Sequence, residues 1–189
     1  MTGKSAARPE IEFRSLGEQE IQLVHRYQNL SCTMELSDML DFEPPYLPLP
    51  IEKVKAKLEE MSKKDRTYLF GVWSKDNQFV GLGLFSAEFD PWSPWMGVFM
   101  WPEHRRKGYG SAAAAKLLER AFGDTVAHVV SSYAPGWNES AQRFAESVGF
   151  KRAGGRRRSY FIDGKYYDGV FYDVLRKEHD KLARKGGEP

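Results

Sequence analysis

The chain has 189 residues, 41% apolar and 14% aromatic, with 28 Lys and Arg against 26 Asp and Glu. That length fits one folded domain with a substantial core, and a net charge of +2 gives no broad electrostatic footprint for nucleic acid or an anionic membrane. The single cysteine, Cys32, excludes an intrachain disulfide framework and a multi-cysteine zinc site and suits a reducing compartment.

Met1 to Pro9 reads as a loose polar tail without the apolar centre of a signal peptide. No apolar run is long enough for a membrane span, so a cytoplasmic location is expected. Ile11 to Arg14 predicts a short first strand. Ser15-x-x-Glu18 has the pattern of a capping box, and Ile21, Val24, Tyr27 and Leu30 continue at helical spacing. Ser31 to Pro50 is unusual. It carries Glu35, Asp38, Asp41 and Glu43, then Pro44-Pro45-Tyr46-Leu47-Pro48-Leu49-Pro50, a composition against a single helix past Phe42. Ile51, Val54, Leu58 and Met61 mark a second helix.

Thr67 to Ser74 alternates as a strand, Lys75 to Gln78 turns, and Phe79 to Ala87 returns. Gly81 and Gly83 inside that return predict a bulge or a close backbone approach. Asp90-Pro91-Trp92-Ser93-Pro94 is a turn before a strand from Trp95 to Trp101. A helix beyond Gly110 carries Leu117, Leu118 and Ala121. Val126 to Tyr133 predicts a strand broken by Pro135-Gly136, and Asn138 to Val148 a helix with Ala141, Phe144 and Val148 inward. Asp163-Gly164 is a hairpin signal between strands over Arg158 to Ile162 and Lys165 to Leu175. Arg176 to Lys185 predicts a short helix. Strands alternating with helices and ending in a hairpin imply one mixed α/β sheet.

The chemistry concentrates between Val98 and Ala115. An apolar strand stops at Pro102, and the basic run Arg105-Arg106-Lys107-Gly108-Tyr109-Gly110 feeds into Ser111 and four alanines, a strong helix former. Glycine lets a ligand approach the main chain, and the first amides of a helix lack intrahelical acceptors while the helix dipole adds positive potential. With three cations beside it, this turn suits an anion, best a pyrophosphate. The plain alternative is a tight turn with a solvated basic patch. A P-loop needs a lysine before its Ser or Thr, and Gly110 runs straight into Ser111, which disfavours nucleotide hydrolysis. Gly108 to Ala113 fits G-x-G-x-x-A, but that dinucleotide motif closes a first strand and wants an acidic residue about twenty positions on. Here much of the chain precedes it, and Asp124 sits before the next strand.

The spacing Arg105-x-x-Gly108-x-Gly110 resembles the acetyl-CoA loop of the GNAT acetyltransferases, Gln/Arg-x-x-Gly-x-Gly/Ala. Asn138-Glu139-Ser140-Ala141, Val148-Gly149-Phe150 and Asp163-Gly164-Lys165-Tyr166-Tyr167-Asp168 extend the resemblance from Ile11 to Glu178. They point to the branch holding RimJ/RimL-like (ribosomal-protein N-terminal) and spermidine acetyltransferases. The resemblance implies the GNAT fold, α/β (α+β), with one mixed, largely antiparallel sheet of about six to seven strands flanked by about four helices. The domain would run from 10 to 178 between tails 1–9 and 179–189. The implied reaction moves an acetyl group from acetyl-CoA to a primary amine by direct attack. The amine would belong to a protein N-terminus, a polyamine or another cationic small molecule. The alternative is a non-catalytic acyl-CoA-binding or partner-binding module on the same fold.

Carried onto this sequence, the resemblance gives the backbone of Val98, Phe99 and Met100 to the pantetheine arm. It gives Arg105, Arg106, Lys107, Gly108, Tyr109, Gly110 and Ser111 to the pyrophosphate, and an N–H near Met100 to the thioester oxygen. Asn138 would turn its amide to the cofactor, or serve as a plain helix N-cap. Two departures stand out. The family's usual tyrosine, seven residues after this asparagine, is Ala145, and its frequent glutamate before the central strand is Trp95. Glu88 as base through water and Tyr133 as acid are the substitutes. A lysine-type amine, with pKa near 10.4, needs deprotonation, whereas an α-amine near 8 is partly free at neutral pH, so the departures favour an α-amine or a water relay.

Glu35, Asp38, Asp41 and Glu43 occupy the place where this family's acceptor docks and would suit a cation, with Trp95 as an apolar wall; a solvated loop is the alternative. Arg156-Arg157-Arg158 before Ser159-Tyr160-Phe161 interleaves cations with aromatics. Three cations on a hairpin read as a solvated face, so no nucleic-acid and no membrane partner is expected, with room left for a homodimer. His25 and His128 have no ligand spacing with Cys32, and no metal is expected.

Overall fold

Alternating and helical periodicities both translate into elements at the expected places, with shifts at their ends. The computed structural model describes residues 8–30, 36, 37, 39, 40, 42 and 48–186. In chain order these form β1 (Ile11–Arg14), α1 (Glu18–Gln28), α2 (Ile51–Lys63), β2 (Thr67–Ser74), β3 (Phe79–Ser86) and β4 (Trp95–Met100). A 3-10 turn (Pro102–His104), α3 (Tyr109–Asp124), β5 (Val129–Pro135) and α4 (Glu139–Ser147) follow, then β6 (Lys151–Ile162), β7 (Lys165–Leu175) and α5 (Arg176–Gly186). The strand order is β1-β2-β3-β4-β5-β7-β6. β1 pairs β2, β5 pairs β7 and β6 pairs β7 antiparallel, whereas β4 pairs β5 in parallel. This is the mixed α/β sheet that the sequence implies.

The chain divides into two compact units, residues 1–84 with 98–113, and residues 85–97 with 114–189. The first holds β1, β2, most of β3, the end of β4, α1 and α2. Its larger core takes Val24 and Tyr27 from α1 and Val54, Leu58 and Met61 from α2, spaced so that one helical face is buried. Beside it, Ile11, Val72, Val80, Met100, Ala112 and Ala113 form a second cluster, with Val98 and Tyr109 packed on it. Gly81 shows why β3 carries glycine. A Cβ there would stand 2.1 Å from the carbonyl oxygen of Phe99 and 2.9 Å from Cα of Met100.

The first helix does not use the expected capping box. It starts after Gly17, whose N–H donates to Glu20 Oε2 at 2.9 Å. Only half a box forms, because Gly17 has no side chain to reciprocate. At its other end Asn29 clamps Leu49: Asn29 Oδ1 accepts from Leu49 N at 2.7 Å, and Nδ2 donates to the Leu49 carbonyl at 2.9 Å. The two ends of the proline-rich acidic segment are thereby tied together, although Glu35, Asp38, Asp41 and Glu43 lie outside the described residues.

The second unit is built on β5, β7 and β6. Asp163 and Gly164 have φ of 48° and 76°, the paired left-handed conformation that a tight two-residue hairpin needs. β6 begins at Lys151, earlier than expected, and its register slips twice against β7, between Arg152 and Gly154 and between Arg156 and Tyr160. At the second slip Arg158 is left-handed (φ 50°) and its N–H donates to Asp168 Oδ1 at 2.8 Å. In α4 Ala145 is buried, and Ala141, Phe144 and Val148 on the same helical face are half-buried, so the inward face is the expected one with Ala145 at its centre. Arg176 opens α5 and donates from Nε to the Ala127 carbonyl at 2.9 Å, and from Nη1 to that of Phe122.

Candidate functional site

The loop after β4 is held at its root before it becomes glycine-rich. Trp101, 1% exposed, donates its main-chain N–H to the Val80 carbonyl at 3.0 Å. Its ring stacks on Tyr27, centroids 4.2 Å apart and 8° from parallel, and meets Phe79 and Phe99 edge-on. Tyr27 also donates its hydroxyl to the carboxylate of Glu103 in the 3-10 turn. Burial alone would raise the pKa of Glu103. The Tyr27 hydrogen bond, a backbone bond and the charges of His104 and Arg26 outweigh it and hold the carboxyl below its ordinary value. Arg105 turns back onto β4: its Nε donates to the Met100 carbonyl at 3.1 Å, and its guanidinium lies 5.3 Å from the Phe99 ring centroid. Its side chain, though exposed, thus ties the loop back to β4.

Beyond Arg105 the main chain takes over. Arg106 and Gly108 are left-handed, with φ of 58° and 85°, on either side of Lys107. For arginine that conformation is uncommon and costs energy, and such outliers gather where a ligand is gripped. Alternating handedness makes successive N–H groups converge into an anion-binding concavity. The first intrahelical bond of α3 runs from Ala112 N to the Gly108 carbonyl at 3.0 Å, so the amides ahead of it open the helix without an intrahelical acceptor. Arg106, Lys107 and Gly108 are exposed, whereas Ala112, Ala113 and Ala114 are buried and seat the helix. Val98, Phe99, Met100 and Arg105 to Ser111 therefore come together as one continuous structure in the first unit.

The second unit gathers a different set. Tyr133 on β5 lies opposite Phe171 on β7, their rings 5.0 Å apart, and its hydroxyl is 3.0 Å from Ser159 Oγ. The ring crosses Gly169, where a Cβ would stand 1.6 Å from the tyrosine oxygen. Trp95, 38% exposed, meets the same Phe171 edge-on at 5.9 Å. Glu88 is exposed just past the end of β3. Asn138 is the N-cap of α4, its Oδ1 accepting from Ala141 N at 2.9 Å. Only its amide nitrogen is then suited to donate to a cofactor. Ala145, at the position of the missing tyrosine, is 7% exposed. Tyr27, Glu103, Ser159 and Gly169 were not legible as partners, because folding joins positions as far apart as the 76 residues between Tyr27 and Glu103.

Among the described residues no group of three or more His, Cys, Asp and Glu could hold a metal ion, and no helix is long and apolar enough to cross a membrane. Residues 34–150 match the Acetyltransferase (GNAT) family. The chain belongs to the GNAT family. It is 25% identical over 137 residues to the SPbeta prophage-derived uncharacterized N-acetyltransferase YokL of Bacillus subtilis, covering 71% of this chain and 76% of the relative. Over 83 residues it is 30% identical to YdaF of Bacillus subtilis, named as a candidate ribosomal N-acetyltransferase, covering 44% and 45% of the two chains. The crystal structure of a spermidine N-acetyltransferase from Vibrio cholerae, in complex with CoA and spermine, shares the fold of this GNAT chain. Its TM-score is 0.75 at 20% identity, over 89% of this chain and 97% of that one. The protein is thus an N-acetyltransferase of the GNAT type.

Proposed function

We propose that this acetyltransferase moves the acetyl group of acetyl-CoA to the primary amine of a cationic acceptor, by direct attack of the amine on the thioester. The observation that carries the reading is the loop of left-handed Arg106 and Gly108 opening α3, a cradle of main-chain donors with exposed cations beside it. Those features fit the pyrophosphate of CoA. Amides from Arg105 to Ser111 would hold it, and Arg106 and Lys107 would add charge. Val98, Phe99 and Met100 would pair with the pantetheine arm, and the amide nitrogen of Asn138 would supply a further donor. Support comes from YdaF, named for ribosomal acetylation, and from the Vibrio cholerae enzyme that binds CoA and spermine.

In the reaction a nitrogen–carbon bond forms and the carbon–sulfur bond breaks, while the amine loses a proton and the thiolate gains one. A main-chain N–H near Met100 would stabilise the oxyanion that develops. Glu88, through water, takes the amine's proton, and Tyr133 gives its own to the thiolate. Its hydroxyl is suited to this by Ser159, 3.0 Å away, which can donate to the phenolate that results. Glu35, Asp38, Asp41 and Glu43 would attract the acceptor and Trp95 would wall it, with the cytoplasm as the proposed compartment. Converting all four carboxylates to amides should raise the acceptor KM and leave acetyl-CoA affinity intact.

The second reading, a non-catalytic acyl-CoA-binding module, is favoured by Ala145 and Trp95 standing where an acid and a base are usual in this family. A thiol-release screen with acetyl-CoA against peptides, polyamines, aminoglycosides and amino acids separates the two. Release with cationic amines supports transfer. CoA binding without release from any amine supports the module.

A further inference from the structure

We propose that Asp168 is a positioning residue for Tyr133, holding the slip in β6 that carries the Ser159 hydroxyl to the tyrosine. The inference rests on the reading of Tyr133 as the acid that protonates the departing thiolate. β6 and β7 are in register at Arg156 with Gly169 and again at Tyr160 with Tyr167. Between those pairs β6 has Arg157, Arg158 and Ser159, whereas β7 has Asp168 alone. Surplus residues in one strand break the local ladder and re-aim the side chains beside them. The side chain re-aimed here is that of half-buried Ser159, whose Oγ lies 3.0 Å from the Tyr133 hydroxyl. Next to Asp168 in β7, Gly169 leaves the space that the hydroxyl occupies.

The slip needs a device to hold it, because Arg158 stands at φ 50°. A residue with a side chain adopts that conformation at a cost and keeps it only where its surroundings enforce it. The contact that does so is the Asp168 carboxylate, whose Oδ1 accepts from the main-chain N–H of Arg158 at 2.8 Å. An ionised acceptor makes such a bond stronger than a neutral one. Asp168 is also tied to the end of β5: its main-chain carbonyl accepts from Gly136 N at 2.7 Å, just past Pro135. One residue thus links β7 to the strand that carries Tyr133 and to the slip that carries Ser159. Asp168 touches no reacting atom in this scheme. It acts through Ser159, which donates to the phenolate once Tyr133 has given up its proton. A serine swung away leaves that charge without its donor.

The test is thiol release from acetyl-CoA, using whichever amine of the peptide, polyamine, aminoglycoside and amino-acid screen reacts fastest. Wild type is compared with Asp168→Ala, Asp168→Asn, Ser159→Ala, Tyr133→Phe and the doubles Asp168→Ala/Ser159→Ala and Asp168→Ala/Arg158→Gly. Asp168→Ala should lower kcat roughly three- to tenfold, the scale of one lost hydrogen bond, with the KM for acetyl-CoA unchanged. Asp168→Asn keeps an oxygen acceptor and should retain the wild-type kcat. Arg158→Gly removes the cost of the left-handed turn and should restore most of what Asp168→Ala loses. That double is also the variant to read if Asp168→Ala alone does not fold. Ser159→Ala should lower kcat as far as Asp168→Ala, and their double no further, because both act on one bond. Additive losses in that double, or a wild-type kcat in Asp168→Ala beside an impaired Tyr133→Phe, overturn the role of Asp168 and spare Tyr133. Full activity of Tyr133→Phe, or no release with any amine, overturns the reading of Tyr133 and this inference with it.

Discussion

The loop after β4 and the surroundings of Tyr133 place chemistry in opposite ways. In the loop the candidate donors are main-chain amides, shaped by left-handed Arg106 and Gly108, and the side chains hold the loop's root in place. Around Tyr133 the proposed donor is a side chain, and the main chain leaves room for it at Gly169. A site made of backbone tolerates changes of side chain and fails when its conformation is denied. A site made of one hydroxyl fails when that hydroxyl is moved or removed.

The largest effect that would sharpen this contrast is at Gly108. Replacing it with valine forces a β-branched residue to φ 85° and drives a Cβ toward Pro9. Strain of about 1–3 kcal/mol in the loop corresponds to as much as about a hundredfold in CoA affinity. The stabilisation of about 2.7 kcal/mol that a ligand gives at one hundred times its Kd should disappear from a CoA-dependent melt. An unchanged shift would mean that the cradle is not the binding element.

Next in size is Gly169→Ala, which must displace the Tyr133 hydroxyl. Its kcat should fall as far as that of Tyr133→Phe, on the order of a hundredfold for a lost general acid, with CoA affinity preserved. Were Tyr133→Phe fully active, the hydroxyl would be structural, a partner of Ser159 and nothing more.

A smaller effect belongs to the loop's root. Tyr27→Phe removes one hydrogen bond to a carboxylate, worth about 1.5–3 kcal/mol of stability at most, and less here because Glu103 is exposed. The folded-state pKa of Glu103 is depressed, so its contribution is present above the unfolded value and is lost as pH falls through the folded one. Urea midpoints of wild type and Tyr27→Phe should therefore differ near neutrality and converge in acid. A difference that does not depend on pH would assign the effect to ring stacking on Trp101 instead.

These two regions were also unequally readable in the sequence. Arg105-x-x-Gly108-x-Gly110 is legible because a backbone site needs glycines at fixed spacing next to one another in the chain. The same holds for the hairpin at Asp163-Gly164, where φ is positive at both residues, and for Gly81, where β3 meets β4 too closely for a Cβ. The Tyr133 surroundings were legible only as one tyrosine at a strand end. Ser159 reaches it through a slip in β6 that places extra residues opposite Asp168, and no periodicity announces a slip of that kind. Likewise the Ser15 capping pattern was locally sound, yet Glu20 on Gly17 fixed the start of α1 two residues later. Pro9 looked like tail because its contact, Gly108, lies far along the chain.

The smallest predicted effects come from the loop's charges. Arg106→Gln and Lys107→Gln should each weaken CoA binding severalfold and reduce its salt dependence, since both side chains are exposed and screened over about 8 Å at physiological strength. If either matched the glycine variants in severity, charge rather than shape would dominate the loop.

The most direct measurement is a calorimetric titration of CoA into wild type and Gly110→Val under one buffer. Wild type should bind one CoA per chain, and the valine variant, folded by its circular dichroism, should show no binding heat. Equal affinity in the two proteins would contradict the assignment of Arg105 to Ser111 as the place where the coenzyme is held.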